Sequence, residues 1–509
     1  MRNTVNTIIL LLCGALLACP TLALLINCFN GRERASSAAS LASLFIGFGF
    51  IIGLFLLGHL SFSEMPVTYL LISFNTLSLL LCCLILLVSF VVHRFSIRYM
   101  DGDRLYWRYF CNLAAITLSA VVMVLADNLF LFWLSWSLSN LLLIVLMVHK
   151  SEWAAARNSG RLTLNTLLVG SISLLAAFML ITFSTDTASI QALNQKDIAS
   201  SSVFLPAMTL ITLTALTQSA IWPFHRWLIS SLNSPTPVSA LMHAGLVNGG
   251  GILIVKFAPL FAASNHLLMI VFVLGAISAF LGTFWKLMQH DIKKMLACST
   301  LAQMGFMMMQ CGLGLFAAAV AHLCWHGLFK AYLFLSSGSA VAQKSNEPKV
   351  HAYKPLLFLI ASSGGFLGML GFAFMTNKPI LSLQATSFLL VFAFIAGTQL
   401  MLAVMNNRLS LINMAIGLLM SSLAGLVYGA SIHLIELLIP NLTQFYLPKL
   451  SILHLITLVL LVAPWLLFNL GLMKKIKESN FWCKLYMSLL NQSQPSPKTV
   501  TTLRSDYKY

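Results

Sequence analysis

Charge is what this 509-residue chain has least of: Asp, Glu, Lys and Arg together make up 8% of it, and only 13 residues are acidic. Soluble domains carry about 25% charged residues, so a chain this poor in charge cannot turn most of its surface to water. Long polar intervals are missing too. The longest, near 93–108 and 184–203, are loop-sized, which excludes a large soluble domain and places function among the apolar segments. The cysteines are scattered, adjacent only at Cys82 and Cys83, with no CxxC pair and no histidine at zinc-ligand spacing; no metal, cluster or disulfide framework is expected. There is no nucleophile–base pair and no phosphate loop, so no enzymatic site is visible in this chain alone.

What is abundant is hydrophobic residues, 59% of the chain. Apolar runs lie near 5–29, 40–60, 67–92, 109–126, 128–148, 162–183, 204–229, 237–258, 266–285, 292–312, 316–340, 356–374, 387–405, 411–432 and 452–473. Each has roughly the 20 residues a helix needs to cross a ~30 Å hydrocarbon layer, and barrel-type alternation is missing. The expected fold is therefore an all-α polytopic membrane protein with about fifteen transmembrane helices. Leu16-Leu17-Ala18-Cys19 looks like a lipoprotein cleavage site, but a single preceding Arg, Pro20 after the cysteine and a run continuing to Phe29 favour an uncleaved first helix.

Basic residues in short loops favour the cytoplasmic side. Numbering the loops after each helix, the odd ones hold Arg32 and Arg34, Arg94 to Arg108, Lys150 to Arg161, Arg226, Lys286 to Lys294, Lys344 to Lys354, and Arg408. The tail adds Lys474, Lys475, Lys477, Lys484, Lys498, Arg504 and Lys508, whereas the N-terminus and even loops hold only Arg2, Lys196, Lys378 and Lys449. The parity predicts an outside N-terminus and an inside C-terminus. The net charge of +17 is then mostly a topology signal, with anionic lipid rather than nucleic acid facing the basic loops. After residue 473, Phe481, Trp482, Leu485, Tyr486, Leu489 and Leu490 interleave with Lys477 and Lys484, which predicts a helix lying at the cytoplasmic membrane surface. Beyond Gln492 the chain is rich in Ser, Pro and Thr, which predicts a disordered tail.

Inside the apolar runs stand a few ionisable residues: His243 and Lys256 in one, His322, His326 and Lys330 in another. Each costs roughly 2.5 kcal/mol or more in hydrocarbon even on the gentlest scale, so such groups by default suggest an ion or proton path. His322, His326 and Lys330 recur at i, i+4 and i+8 and project from one stripe of a helix; linked by water, such a row can pass a proton from site to site. The bland reading is a set of interhelical hydrogen-bond donors. Pro223, Pro235 and Pro237 interrupt the stretch 217–239, which predicts either a broken helix with freed carbonyls or a plain loop between two spans. Gly245, Gly249, Gly250 and Gly251 read first as close helix packing.

The stretches NSPTPVSALMHAGLV (Asn233 to Val247), DIKKMLACSTLAQMG (Asp291 to Gly305) and AHLCWHGLFKAYLFLSSGS (Ala321 to Ser339) resemble the antiporter-like subunits of respiratory complex I, Mrp cation/proton antiporters and membrane hydrogenases. The resemblance continues in FSIRYMDGD (Phe95 to Asp103) and LADNLFLFWLSW (Leu125 to Trp136) and covers about 90 to 345. It implies two inverted five-helix repeats, each with a helix broken at mid-membrane. On that basis 1–108 are N-terminal flanking helices, 109–405 the antiporter-like core, 406–473 C-terminal flanking helices and 474–509 a cytoplasmic interfacial helix and tail. His243, His322, His326 and Lys330 match the family's central polar axis of proton transfer.

Two departures stand out. The family's glutamate after the tryptophan is Ser137 here, and its broken-helix lysine is Gln218, so the Glu/Lys switching pair is missing. Lys256 is a candidate to replace the lysine; Glu436, near His433, is the best candidate for a replacement carboxylate, with Asp127 at a span border the other acidic residue considered. HAGLVNGGGILIVKFAPL from His243 to Leu260 looks most like the membrane subunits of bacterial inorganic-carbon accumulation systems of the Dab type. The chain also stops soon after its fifteenth run, without the long lateral helix of complex I's distal subunit. The resemblance implies a non-enzymatic subunit of the inner membrane that conducts protons or sodium ions. It implies no cofactor in this chain, and a large soluble zinc-containing, carbonic-anhydrase-like partner of the DabA type on the cytoplasmic face, where catalysis would occur. A subunit of a cation/proton antiporter or respiratory NADH–quinone oxidoreductase, and a non-conducting membrane anchor, are the alternatives.

Overall fold

The computed structural model describes residues 2–63, 67–196, 198–342, 355–380, 382, 384–405, 410–445, 449–472 and 479–500. The helices are α1 (Arg2–Phe29), α2 (Ala35–Ser63), α3 (Thr76–Tyr99), α4 (Tyr106–Leu125), α5 (Leu129–Met147), α6 (Ala154–Thr185), α7 (Ile190–Gln195), α8 (Phe204–Gln218), α9 (Arg226–Ile229), α10 (Thr236–Ala244), α11 (Gly249–Lys256), α12 (Ala258–Ala262), α13 (Asn265–Leu287), α14 (Ile292–Gly312), α15 (Phe316–Leu335), α16 (Pro355–Thr376), α17 (Ser387–Met405), α18 (Leu411–Leu438), α19 (Ile452–Asn469) and α20 (Asn480–Gln492). Among the described residues, 13 spans, α10 and α11 counted together, are long and apolar enough to cross a membrane. The shorter α8 and the less apolar α14 occupy the other two expected positions. The chain is a multi-pass α-helical membrane protein.

Helix starts follow side-chain capping of orphan amides. Asn75 accepts from Ser78 N at 2.8 Å and starts α3, Asn128 accepts from the amides of Phe130 and Leu131 and starts α5, and Asp291 accepts from Lys294 N and starts α14. The Asn75 cap corrects the reading of 67–92 as one helix. Its first residues form a hairpin, β1 (Val67–Tyr69) antiparallel to β2 (Ile72–Phe74), turned at Leu70 with φ 53°. Val, Thr, Tyr and Ile fit a pleated strand as readily as a helix, so composition alone does not separate the two.

Two interruptions shape the centre of the molecule. α8 stops at Gln218; Ala220 takes a left-handed φ of 53° and a cis Trp222–Pro223 bond follows before the short α9. α10 then starts at the Pro235–Pro237 pair, ends at Ala244, and resumes as α11 after a single 3-10 turn over Leu246–Asn248. This second break falls at the glycines read first as packing, and both readings apply. A Cβ on Gly250 would collide with Ala215 O and Ser219 Oγ of the α8 end, so backbone there approaches backbone with no room for a side chain. Each of α13 to α18 is continuous within its own range. The α10–α11 pair is almost wholly enclosed by its neighbours, whereas α18 and α19 expose most of their surface.

The tail departs from expectation. Residues 493–500 are docked across the ends of α6, α9, α10 and α13. Asn158 Nδ2 donates to Lys498 O at 2.9 Å, Asn233 Nδ2 to Thr499 O at 2.8 Å, Ser496 N to Ser230 Oγ at 3.1 Å and Gln289 Nε2 to Ser493 Oγ at 2.8 Å. Disorder beyond Gln492 is thus corrected for these residues, because neighbouring polar side chains meet their backbone groups. The topology-bearing Lys344, Lys349, Lys354, Arg408, Lys474, Lys475, Lys477, Arg504 and Lys508 lie outside the described residues.

Candidate functional site

The stripe on α15 is buried as a unit. His322 and His326 stack with ring centroids 5.9 Å apart at 16°, and Lys330, one turn further, is fully buried. α15 packs on α10, α14 and α3, and its polar groups reach two of them. His326 Nε2 lies 3.2 Å from the carbonyl oxygen of His243. The His243 ring stacks on Phe334 at 4.3 Å and its Nδ1 meets Thr300 Oγ1 at 3.1 Å. Thr300 Oγ1 is 3.0 Å from Leu296 O, which also accepts from Lys330 Nζ at 3.2 Å, while the amine donates to Ser299 Oγ at 2.9 Å. His243 and Lys330 are thereby hydrogen-bonded to α14 hydroxyls, His326 meets the His243 carbonyl, and His322 is joined to His326 by its stacked ring; its Nε2 has no hydrogen-bond partner among the described residues.

The carbonyl that His326 meets is available because α10 ends one residue later. Carbonyls of a last helical turn have no amide four residues on, and buried ones need another donor. At this break four of them are met by side chains. His243 O faces His326, Ala244 O accepts from Asn248 Nδ2 at 2.7 Å, Leu246 O from Gln218 Nε2 at 3.1 Å, and Val247 O from Ser219 Oγ at 2.7 Å. Freed carbonyls were expected at the prolines; the ones that organise the site arise at the glycine break.

Gln218 explains what stands where the resemblance implies a lysine. Its side-chain amide exchanges two hydrogen bonds with Asn140 of α5, at 2.9 and 3.0 Å. Both residues are buried, and reciprocal amides satisfy each other without charge. Beside them is a cavity of about 50 Å³ whose walls are mostly apolar, Leu84, Val88, Met123 and Leu246 among them, with Ser89, Thr117, Asn140, Gln218 and Asn248 on its border. A water needs roughly 10–15 Å³ on such a measure and several polar partners, so the volume suffices for water only along the border where these polar groups lie. Asn248 Oδ1 and Trp136 Nε1, both buried, have no partner among the described residues.

The remaining candidates lie apart from this centre. Lys256, at the end of α11, donates to Ala126 O at 3.1 Å, sits 5.6 Å from the Phe132 ring and is within electrostatic reach of Asp127. Asp127 itself accepts from Ser189 Oγ at 2.6 Å and Gln191 N at 2.9 Å. Lys256 therefore does not take the place of the lysine at Gln218, whose hydrogen bonds go to Asn140 and Leu246. Ser137 Oγ meets Ser171 Oγ of α6 at 2.5 Å, whereas Asn140, a turn further along α5, pairs with Gln218 of α8. Glu436 forms an ion pair with Lys378 at 3.0 Å, with both side chains part-exposed, and so is no substitute carboxylate for the buried amines. His433, on the same helix and half-buried, is not brought to the α15 row.

Sequence reasoning missed Asn140, Asn248, Ser299 and Thr300. Their one signal is a polar side chain inside an apolar run, a weak signal because Ser and Thr hydroxyls in helices commonly bond back to their own carbonyls. Several here do, Thr300 among them.

Comparison with known proteins bears on this arrangement. Residues 126–412 match the family described as NADH:quinone oxidoreductase/Mrp antiporter, transmembrane, and residues 67–110 match the N-terminus of complex I chain 5. A probable inorganic carbon transporter subunit DabB of Bacillus subtilis is 33% identical over 440 residues, 84% of each chain. The probable subunit DabB1 of Halothiobacillus neapolitanus is 41% identical over 50% of this chain and 47% of its own length. NADH-ubiquinone oxidoreductase chain 5 of Chondrus crispus is 33% identical over 60% of this chain and 48% of its own. The last two alignments thus span about half of each relative. Among solved structures, the Mrp complex of Dietzia sp. matches 96% of this chain and 52% of the chain compared, with a TM-score of 0.59 at 20% identity, a likeness of fold.

Proposed function

This chain belongs to the antiporter-like membrane-subunit family of NADH:quinone oxidoreductases and Mrp antiporters, and from that premise we propose that it is the ion-conducting subunit of an inorganic-carbon accumulation complex. The ion is the proton. The side chains that would handle it are imidazoles and amines, which carry protons but offer a sodium ion no compensating negative charge. The observation that carries the reading is the joint burial of His243, His322, His326 and Lys330, with His243 and Lys330 hydrogen-bonded to the neighbouring α14 hydroxyls of Thr300 and Ser299.

The path runs from Lys256 at one end of the core, by the cavity at the α10–α11 break and the His322–His326 stack, to His243 and Lys330. The basic loops face the cytoplasm, with the N-terminus outside and the C-terminus inside. A large soluble zinc-containing partner of the carbonic-anhydrase type docks on that basic face, and proton flux biases its conversion of carbon dioxide to bicarbonate. Such coupling requires two states of the partner whose energies the proton changes. The printed names of the DabB relatives support the carbon assignment.

The test is growth. A strain that relies on this gene for growth in air should stop growing with Lys330→Ala and recover under elevated carbon dioxide; unimpaired growth in air would sink the proposal. Affinity purification from the same strain should retain a large zinc protein. Recovery of respiratory or Mrp subunits in its place would replace the carbon reading with the antiporter one.

A further inference from the structure

Outside the α15 row, a second line of buried polar groups leaves the same cavity. It runs along α3 and α4. Ser89 and Thr117, on the cavity border, join α3 to α4 through their hydroxyls at 2.5 Å. His93, one turn along α3, is fully buried; its Nδ1 lies 2.8 Å from Ser89 O and 3.2 Å from Ser89 Oγ, and its Nε2 has no partner among the described residues. Ser96, a turn further, meets Tyr109 OH of α4 at 2.9 Å. The Tyr109 ring stands edge-on to His149, centroids 5.7 Å apart. His149 Nε2 lies 3.1 Å from Asp103 Oδ1, whose side chain is 24% exposed at the basic-loop face.

Ser96 and Thr117 also bond back to carbonyls of their own helices, and alone those bonds would be ordinary packing. Two features go beyond packing. The hydroxyl pairs bridge between helices at successive depths, and the one titratable ring between them keeps a nitrogen unmatched where an unsatisfied polar atom is costly.

We propose that this line is a second proton branch, connecting the central cavity to the basic face through His93, independently of His322, His326 and Lys330. The proposal rests on the reading that the chain conducts protons. His93 Nδ1–H, which donates to Ser89 O at rest, passes its proton to Ser89 Oγ as that hydroxyl passes its own to Thr117 and on to cavity water. The ring takes a replacement proton on Nε2, by way of one water, from the Ser96–Tyr109 pair, which is refilled by water from the side of His149, Asp103 and solvent. Only N–H and O–H bonds change, and reorientation of the ring resets the relay.

The test uses the full chain reconstituted in vesicles with a trapped pH dye, an imposed proton gradient and valinomycin to clamp the potential. His93→Gln keeps a side chain able to bond Ser89 but cannot titrate; His93→Phe removes both properties. Both variants should lower flux at least fivefold, with Tyr109→Phe lowering it less, and His93→Gln combined with Lys330→Met should fall below either single change. Gln restoring full flux would mark His93 as a structural donor and overturn the branch, leaving the Lys330 result to stand alone. Loss in the His93 variants with none in Lys330→Met would keep the branch and remove the α15 row. Wild-type flux no faster than in protein-free vesicles would overturn the conduction reading and the branch with it.

Discussion

Replacing Lys330 with methionine separates conduction from folding. Met keeps an unbranched side chain of similar length, so the packing around α15 loses little volume. The amine makes two hydrogen bonds, to Ser299 Oγ at 2.9 Å and Leu296 O at 3.2 Å. Leu296 O keeps the Thr300 hydroxyl at 3.0 Å, and Ser299 is only half-buried, so neither acceptor is stranded. Each lost bond to a charged donor is worth about 1.5–3 kcal/mol, offset by no longer holding an ammonium out of water, a penalty of several kcal/mol. The expected melting temperature is therefore within a few degrees of wild type. Transport responds differently. Without the amine, a proton leaving the histidines must cross the remaining hydrocarbon as an ion, at roughly 2.5–3.5 kcal/mol on the insertion scale. At about 1.4 kcal/mol per decade that slows flux roughly 60- to 300-fold. Dye-loaded vesicles under a clamped potential read this directly. Wild-type flux from a correctly folded Lys330→Met protein would refute the reasoning.

Gln218→Leu leaves the Asn140 amide and Leu246 O without their partner. At about 1–3 kcal/mol per stranded buried group, it should lower the melting temperature clearly, and adding Asn140→Leu should recover part of the loss. Gly250→Ala sets a methyl against Ala215 O and Ser219 Oγ and should cost about 1–3 kcal/mol by overpacking, whereas Gly14→Ala, with nothing within 4 Å of the added carbon, should be silent; both are read by thermal unfolding in detergent. Glu436→Gln breaks a part-exposed ion pair with Lys378 worth at most about 1 kcal/mol, and vesicle flux should be unchanged; a large loss would restore Glu436 to the path.

The helices were legible because a span must be apolar over its whole length, and each expected run contains a described helix. The α15 stripe was legible for a related reason: three ionisable groups at a four-residue pitch have one geometric meaning. Legibility failed where one local pattern serves two structures. The β1–β2 hairpin is built from residues that also suit a helix. The glycines at 245–251 permit both close packing and a chain break, and here they do both. It failed again wherever meaning lies in a distant partner. Nothing near Gln218 announces Asn140, 78 residues away, and nothing in the Ser- and Pro-rich tail announces that Asn158 and Asn233 hold it. His93 went unnoticed because it opens the interval 93–108 read as a loop, whereas α3 runs on to Tyr99 and its neighbours on α4 give it a pattern.

The exchange of the Glu/Lys pair for neutral residues changes what the centre of the path can do. Two unit charges about 4 Å apart interact by roughly 4 kcal/mol at the effective dielectric of 20 that suits protein sites, enough to move an equilibrium by about three decades when the pair opens. The Asn140–Gln218 amides exchange hydrogen bonds worth about 1 kcal/mol each, so opening and closing that pair cannot hold a proton back or release it with comparable force. The cavity beside it is then a passive water site, and control of flux has to reside where charge remains. That leaves the basic-face end of the route, where Lys330 reaches half-buried Ser299 and His149 faces Asp103. A soluble partner seated on that face could change the surroundings of both exits at once, which is the geometry a conductor needs if its flux is to drive a reaction in another protein.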